Sequence, residues 1–224
     1  MTDTPKLFVL TGVPGSGKTS AANRIAFAPA EDWNLLHADD FIGPTFAKYP
    51  PLQDARSGFV TTMPTNSFST VSGSSYVTET GATTTVATHW ASIRQFHTIF
   101  VGESAGWYMS QGRNIFVEGH IKDQVELDNL LEAIPNRYDG PFDQKVVRLE
   151  GDVDKIVRYL VDSQHRRHQC PGPNREACLR RWITEWGIET CIADQTVNIN
   201  GKTPQKVAQD VAAAFGFLSV DSRV

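Results

Sequence analysis

Gly12-Val13-Pro14-Gly15-Ser16-Gly17-Lys18-Thr19 is the stretch that decides how this chain folds. It fits the pattern G-x-x-x-x-G-K-[ST], and its flanks are those the pattern needs. The apolar run Lys6–Thr11 (KLFVLT) precedes it, and the helix-compatible SAANRIA follows from Ser20. Strand, glycine-rich turn and helix, in that order, wrap backbone N–H groups around an anion. The helix start adds the positive end of its dipole. Gly12, Val13, Pro14, Gly15, Ser16, Gly17, Lys18, Thr19 and Ser20 are therefore the candidate phosphate-binding positions. Lys18 is spaced to reach the β- and γ-phosphates of a nucleotide, and the Thr19 hydroxyl to ligate Mg2+.

Four further β-rich runs lie downstream: Asn34–Ala38, Asn114–Glu118, Lys145–Leu149 and Gln195–Ile199. They are apolar without strict alternation, which suits parallel strands covered on both faces. Between them, Leu127, Leu130, Leu131 and Ile134 recur at helical spacing, as do Val153, Ile156, Val157, Leu160 and Val161. Ala208, Val211, Ala212 and Phe215 repeat the pattern after Thr203-Pro204, an N-cap followed by proline at the first helical position. Strands alternating with helices predict an α/β fold, a doubly wound five-stranded parallel sheet with flanking helices. No repeat or linker divides the chain, so residues 1–224 are read as one domain. Ser57–Ile93 breaks the rhythm: it is rich in Thr, Ser and Gly, and Glu79 is its only charged residue. That segment reads either as a loop or short β-hairpin insertion, or as a cap over a second substrate.

Composition narrows the class. Hydrophobic residues at 40% and charged residues at 21% are those of a globular protein. A net charge of −4 argues against broad duplex binding, which needs clustered Lys and Arg. No apolar run approaches the roughly 20 residues that span a bilayer. The N-terminal residues lack the basic leader of a secretory signal, and three cysteines make a poor disulfide framework. A cytoplasmic location is expected, without membrane partners.

Acids stand at two strand ends. His37-Ala38-Asp39-Asp40-Phe41 closes the second run, where an α/β sheet delivers residues to its ligand-binding edge. Asp39 there suits either a general base that orients an attacking hydroxyl or, with Asp40, a helix N-cap. Glu118 closes the third run in Val117-Glu118-Gly119. Residues 158–186 carry Arg158, Arg166, Arg167, Arg175, Arg180 and Arg181. His165, His168, Cys170 and Cys178 lie in the same region, but their H-x2-H-x-C-x7-C order is not a standard zinc pattern.

Together the loop Gly12–Thr19, the HADDF segment and the strand rhythm resemble the P-loop kinase superfamily. The nearest likenesses are uridine and nicotinamide riboside kinases, phage polynucleotide kinases, chloramphenicol phosphotransferases and zeta toxins. The resemblance implies ATP and Mg2+ as cofactors, with Asp39 as catalytic base and Asp40 as its helper or a cap. It also implies that the V-E-G strand lies beside the P-loop and that Glu118 holds Mg2+ through water; the alternative is an acid that caps the next turn. Residues 158–186 would form a lid whose arginines, foremost Arg166 and Arg167, neutralise the transferring phosphoryl group with Lys18; the alternative is a solvated basic face. The loop Asn200–Pro204 would lie against the adenine, or be a plain Asn-Gly turn and helix start. The resemblance does not extend to Ser57–Ile93.

The expected activity is γ-phosphate transfer from ATP to a hydroxyl of a small molecule, a nucleoside, nucleotide or similar ring compound. An antibiotic, a polynucleotide end or a hydroxymethylated base are alternative acceptors, the nucleic-acid ones disfavoured by charge. A GTPase switch lacks its guanine-reading N-K-x-D and its D-x-x-G segment, and a binding-only scaffold would need neither Lys18 nor Asp39. Trp90, Phe96, Trp107 and Tyr108 read either as core or as stacking platforms for a ring.

Overall fold

The computed structural model describes residues 4–26, 33–38, 83–163, 174–186 and 191–217, with the backbone alone at residues 26, 83–96, 178, 181, 182, 185 and 186. The order is β1 (Lys6–Gly12), α1 (Lys18–Ala26), β2 (Trp33–His37), α2 (Thr83–Ser110), β3 (Asn114–Glu118), α3 (Gln124–Ala133) and a 3-10 turn (Ile134–Asn136). Then come β4 (Asp143–Glu150), α4 (Val153–Asp162), α5 (Arg175–Trp186), β5 (Gln195–Asn198) and α6 (Pro204–Phe215).

Among the described residues the strands form one five-stranded sheet, ordered β2-β3-β1-β4-β5, with every pairing parallel. The α/β expectation holds. β1 sits at the centre because the chain winds first to one side, through β2 and β3, and then to the other. That reversal opens a crevice beyond the carboxyl end of β1, the place where such sheets receive ligands.

Both faces of the sheet are covered, which is why its strands read as continuous apolar runs. Leu7 and Val9 pack with Val101, Ala105 and Met109 of α2 and Leu127 and Leu130 of α3. The alternate residues Phe8 and Leu10 pack with Ala21, Ala22 and Ile25 of α1 and Val207, Val211 and Phe215 of α6. Phe8 stacks on Phe215 at 4.8 Å and tilts against Trp33 at 4.7 Å. The helix signals read from sequence operate as local devices. Thr203 caps α6 by accepting from the Lys206 amide, and Asp123 caps α3 through the Glu126 amide.

One expectation needs correcting. The loop or hairpin reading of Ser57–Ile93 fails at residues 83–93, which are helical, the opening turns of the 28-residue α2; residues 57–82, on which the cap reading also rests, lie outside the described residues. Threonine-rich sequence is a weak helix former. The register of α2 is set further along, where Val101, Ala105 and Met109 are buried against the sheet. A helix nucleated by tertiary packing extends into residues that would not start one alone.

α2 and α3 approach closely at Gly102. A Cβ on Gly102 would stand 2.1 Å from the Leu130 carbonyl oxygen and 2.8 Å from the Ala133 Cβ. Alanine's better helix propensity, about 1 kcal/mol, does not offset a clash with main chain that cannot swing aside. Gly102→Ala is expected to lower stability by about 1–3 kcal/mol in denaturant unfolding. An unchanged midpoint would mean that the two helices separate freely.

Candidate active site

The crevice is built on the turn leaving β1. Gly15 and Gly17 take φ of +85° and +90°, conformations that favour glycine and let the turn close. The Ser16 hydroxyl is buried inside that turn with no hydrogen-bond partner among the described residues. A buried, unsatisfied hydroxyl within a ring of amides is a mismatch for an empty turn and a match for an anion. Lys18 starts α1 and folds back over the turn, donating to the Gly12 carbonyl at 2.7 Å and the Val13 carbonyl at 3.2 Å.

Beside this cradle runs β3. Leu10 of β1 is the register partner of Glu118, so the V-E-G strand does lie next to the P-loop. The Thr19 hydroxyl donates to Glu118 Oε1 at 3.0 Å. His37, the last residue of β2 and the register partner of Glu118, reaches the same oxygen with Nδ1 at 2.7 Å. Glu118 does not cap the turn that follows it. Thr11 does that work, accepting from the Ile121 amide at 2.9 Å and donating to its carbonyl at 3.3 Å. A hydroxyl and a buried carboxylate side by side at the phosphate cradle fit a hard cation that keeps most of its water.

On the other side of the loop a cleft of about 360 Å3 opens between α4 and the segment after β5. Gly15 to Ser20 form its floor, Lys155 and Tyr159 one wall, and Asn200, Lys202 and Pro204 the other. The Asn200–Pro204 loop is thus both the turn and helix start its sequence suggests and a wall of the cleft. Lys202 and Lys206 reach Asp210 at 2.7 and 2.8 Å and hold its carboxyl below the ordinary range, Lys202 foremost.

No protein-family model matches the chain, and no curated protein matches it. Among solved structures it is similar to a sugar kinase from Janibacter sp., at 13% identity over 96% of each chain with a TM-score of 0.55. A gluconokinase from Sinorhizobium meliloti is 15% identical over 94% of this chain and 91% of its own, with a TM-score of 0.53. An APS kinase from Mycobacterium tuberculosis, in complex with AMPPNP and APS, is 13% identical over 95% and 98%, with a TM-score of 0.52. This is a P-loop kinase fold.

Within that P-loop kinase fold the predicted residues divide. Gly12 to Ser20 and Glu118 converge at the crevice. Asp39, Asp40, Arg166 and Arg167 lie outside the described residues, as do His165, His168 and Cys170; the Cys178 and Arg181 side chains are likewise not described. Arg175 donates to the Leu160 carbonyl at 2.7 Å, tying α5 to the end of α4. Arg180 pairs with Asp154 of α4, and with Glu176 of its own helix at 3.5 Å, so Arg175 and Arg180 each tie α5 to α4. Trp107 is 54% exposed and meets Tyr108 edge-on at 4.9 Å. Both stand near the end of α2, just before β3 begins, and so toward the amino ends of the parallel strands, whereas the crevice lies beyond their carboxyl ends. They are not stacking platforms at this site, and the side chains of Trp90 and Phe96 are not described.

Three residues at the crevice had been given no role. Tyr159 is 63% exposed because Ile156, Val157 and Leu160 take the buried face of α4; helical period alone puts it outward. His37 stood in the HADDF segment with no task attached. His97 of α2 is buried, and its Nε2 bonds the Ala38 carbonyl. No local signal marks that bond, which joins residues 59 positions apart.

Proposed function

We propose that this chain is an ATP-dependent kinase that transfers the γ-phosphate to a hydroxyl of a small molecule. The observation that carries the reading is the Thr19–Glu118 contact at 3.0 Å beside a P-loop that holds an unsatisfied buried hydroxyl. The kinases among its fold neighbours, a sugar kinase, a gluconokinase, an APS kinase and a shikimate kinase, support a small-molecule acceptor. The net charge of −4 weighs in the same direction.

In this reading the loop amides, the Ser16 hydroxyl and the start of α1 bind the phosphates. Lys18 exchanges the Gly12 and Val13 carbonyls for phosphate oxygens. Thr19 and Glu118 would hold Mg2+, which neutralises charge on the β- and γ-phosphates when bound. The cleft walled by Tyr159 and Pro204 takes the nucleoside. Asp39 follows directly on Ala38, whose carbonyl His97 secures, and it orients and deprotonates the acceptor hydroxyl. Arg166 and Arg167 shield the transferring group, which keeps water from spending ATP. The cytoplasm, where ATP is supplied, is the fitting compartment; among the described residues no helix is long and apolar enough to cross a membrane.

The test is transfer of labelled γ-phosphate from ATP to a panel of acceptors. Nucleosides, nucleotides, sugars, hydroxylated antibiotics, DNA ends and hydroxymethylated DNA would be offered in parallel. Label on a small molecule supports the reading. Label on DNA alone would replace the small molecule by nucleic acid. ATP bound or hydrolysed with no acceptor labelled across a broad panel would count against a kinase.

A further inference from the structure

The kinase mechanism above uses Thr19 and Glu118 but leaves His37 idle. We propose that His37 is a positioning residue that fixes the Glu118 carboxylate and thereby sets how much Mg2+ the site requires; this rests on reading Thr19 and Glu118 as the cation's holders. His37 and Glu118 end adjacent parallel strands in direct register, so their side chains leave the same face of the sheet as neighbours. Their contact of 2.7 Å lies at the short end of the charge-assisted range. An ionised carboxylate can only accept, so Nδ1 carries the hydrogen.

Glu118 Oε1 thus receives two donors, the His37 ring and the Thr19 hydroxyl. Neither contact engages Oε2. Two donors on one oxygen stop rotation of the carboxylate and leave the other oxygen for the cation's water. Burial makes the arrangement matter, since the Glu118 side chain is 6% exposed against 27% for His37. With His37 gone, a buried carboxylate would keep the Thr19 hydroxyl as its one donor from the pair and could turn away from the cation.

A purely structural role is the competing explanation, with His37 tying β2 to β3. The strands do not need it. Their ladder runs from Trp33↔Asn114 to His37↔Glu118 through the main chain, and His97 separately secures Ala38. Residues that orient a metal's holders, without touching the metal, characteristically change affinity by 10–100-fold when lost.

Two near-isosteric variants separate the explanations. The amide nitrogen of His37→Asn can occupy the place of Nδ1 and keep the bond to Glu118. That of His37→Gln falls near Nε2 and loses it, while filling similar space. The readout is the Mg2+ concentration that gives half-maximal binding of a fluorescent ATP analogue to the full chain, with nucleotide affinity in EDTA as reference. His37→Gln is expected to raise that concentration roughly tenfold or more, with affinity in EDTA unchanged, and His37→Asn to stay near wild type. Equal Mg2+ requirements in wild type and His37→Gln, or equal losses in both variants, would overturn the proposal while the kinase reading stands. A wild-type protein that binds nucleotide with no Mg2+ dependence would overturn both.

Discussion

Lys18→Ala is expected to remove phosphoryl transfer while leaving the fold in place. The amine lies across the loop it serves, within 2.7 Å of the Gly12 carbonyl and 3.2 Å of the Val13 carbonyl. Lys18 itself lines the open cleft, so water can take the place of its amine at little cost to stability. α1 does not depend on Lys18 either, because Ala21, Ala22 and Ile25 anchor it in the core beside Leu10 and Phe215. Catalysis is different. The charge that builds on the γ-phosphate needs a cation already in place, and losing one preorganised donor costs about 10²–10³ in rate. Single-turnover transfer and thermal unfolding, measured on the same preparation, check both halves of the expectation. Transfer at the wild-type rate would exclude Lys18 from the chemistry, and a collapse of the melting temperature would make it a structural latch.

Asp39→Asn carries the second large effect. The substitution is chosen because asparagine caps a helix about as well as aspartate does. If Asp39 with Asp40 merely starts a helix, Asn at position 39 should change neither stability nor rate. If Asp39 takes the proton from the acceptor hydroxyl, turnover should fall by about 10²–10⁴ while ATP binding stays intact. The position suits that task, since it directly follows Ala38, buried and fastened through its carbonyl to His97. Nucleotide titration beside rate measurement separates the outcomes. Wild-type transfer by this variant would end the base assignment.

The two devices differ in how far sequence reveals them. The phosphate cradle is contiguous, and its strand, glycines, lysine and helix act on one another within a few residues. Gly12 to Thr19 could therefore be read at sight. The helices at Gln124–Ala133, Val153–Asp162 and Pro204–Phe215 were legible for the same reason, each carrying its own apolar period and, at Thr203, its own cap. Glu118 was visible as a strand-end acid. Its choice between a metal-side role and a turn cap was not, because the turn is capped by Thr11, 110 positions from Ile121.

The arginines show the opposite limit. The resemblance puts Arg166 and Arg167 foremost, but nothing in the sequence says what the guanidinium of Arg175 or Arg180 faces. Only the packing of α4 against α5 hands Arg175 to a helix-end carbonyl and Arg180 to Asp154. The long helix Thr83–Ser110 escaped for a related reason. Its threonine-rich opening is weakly helical, and burial of Val101, Ala105 and Met109 decides the matter from further along the chain.

By itself, then, the sequence determined the α/β alternation, the glycine-rich loop after β1 and the acid that ends β3, all of them consequences of short-range stereochemistry and apolar period. The tertiary structure alone decided the strand order, and with it that Thr19, His37 and Glu118 meet on one carboxylate oxygen across separations of 99 and 81 residues. Contacts of that range follow from how layers pack, which depends on every element at once and is written in no single stretch of the chain.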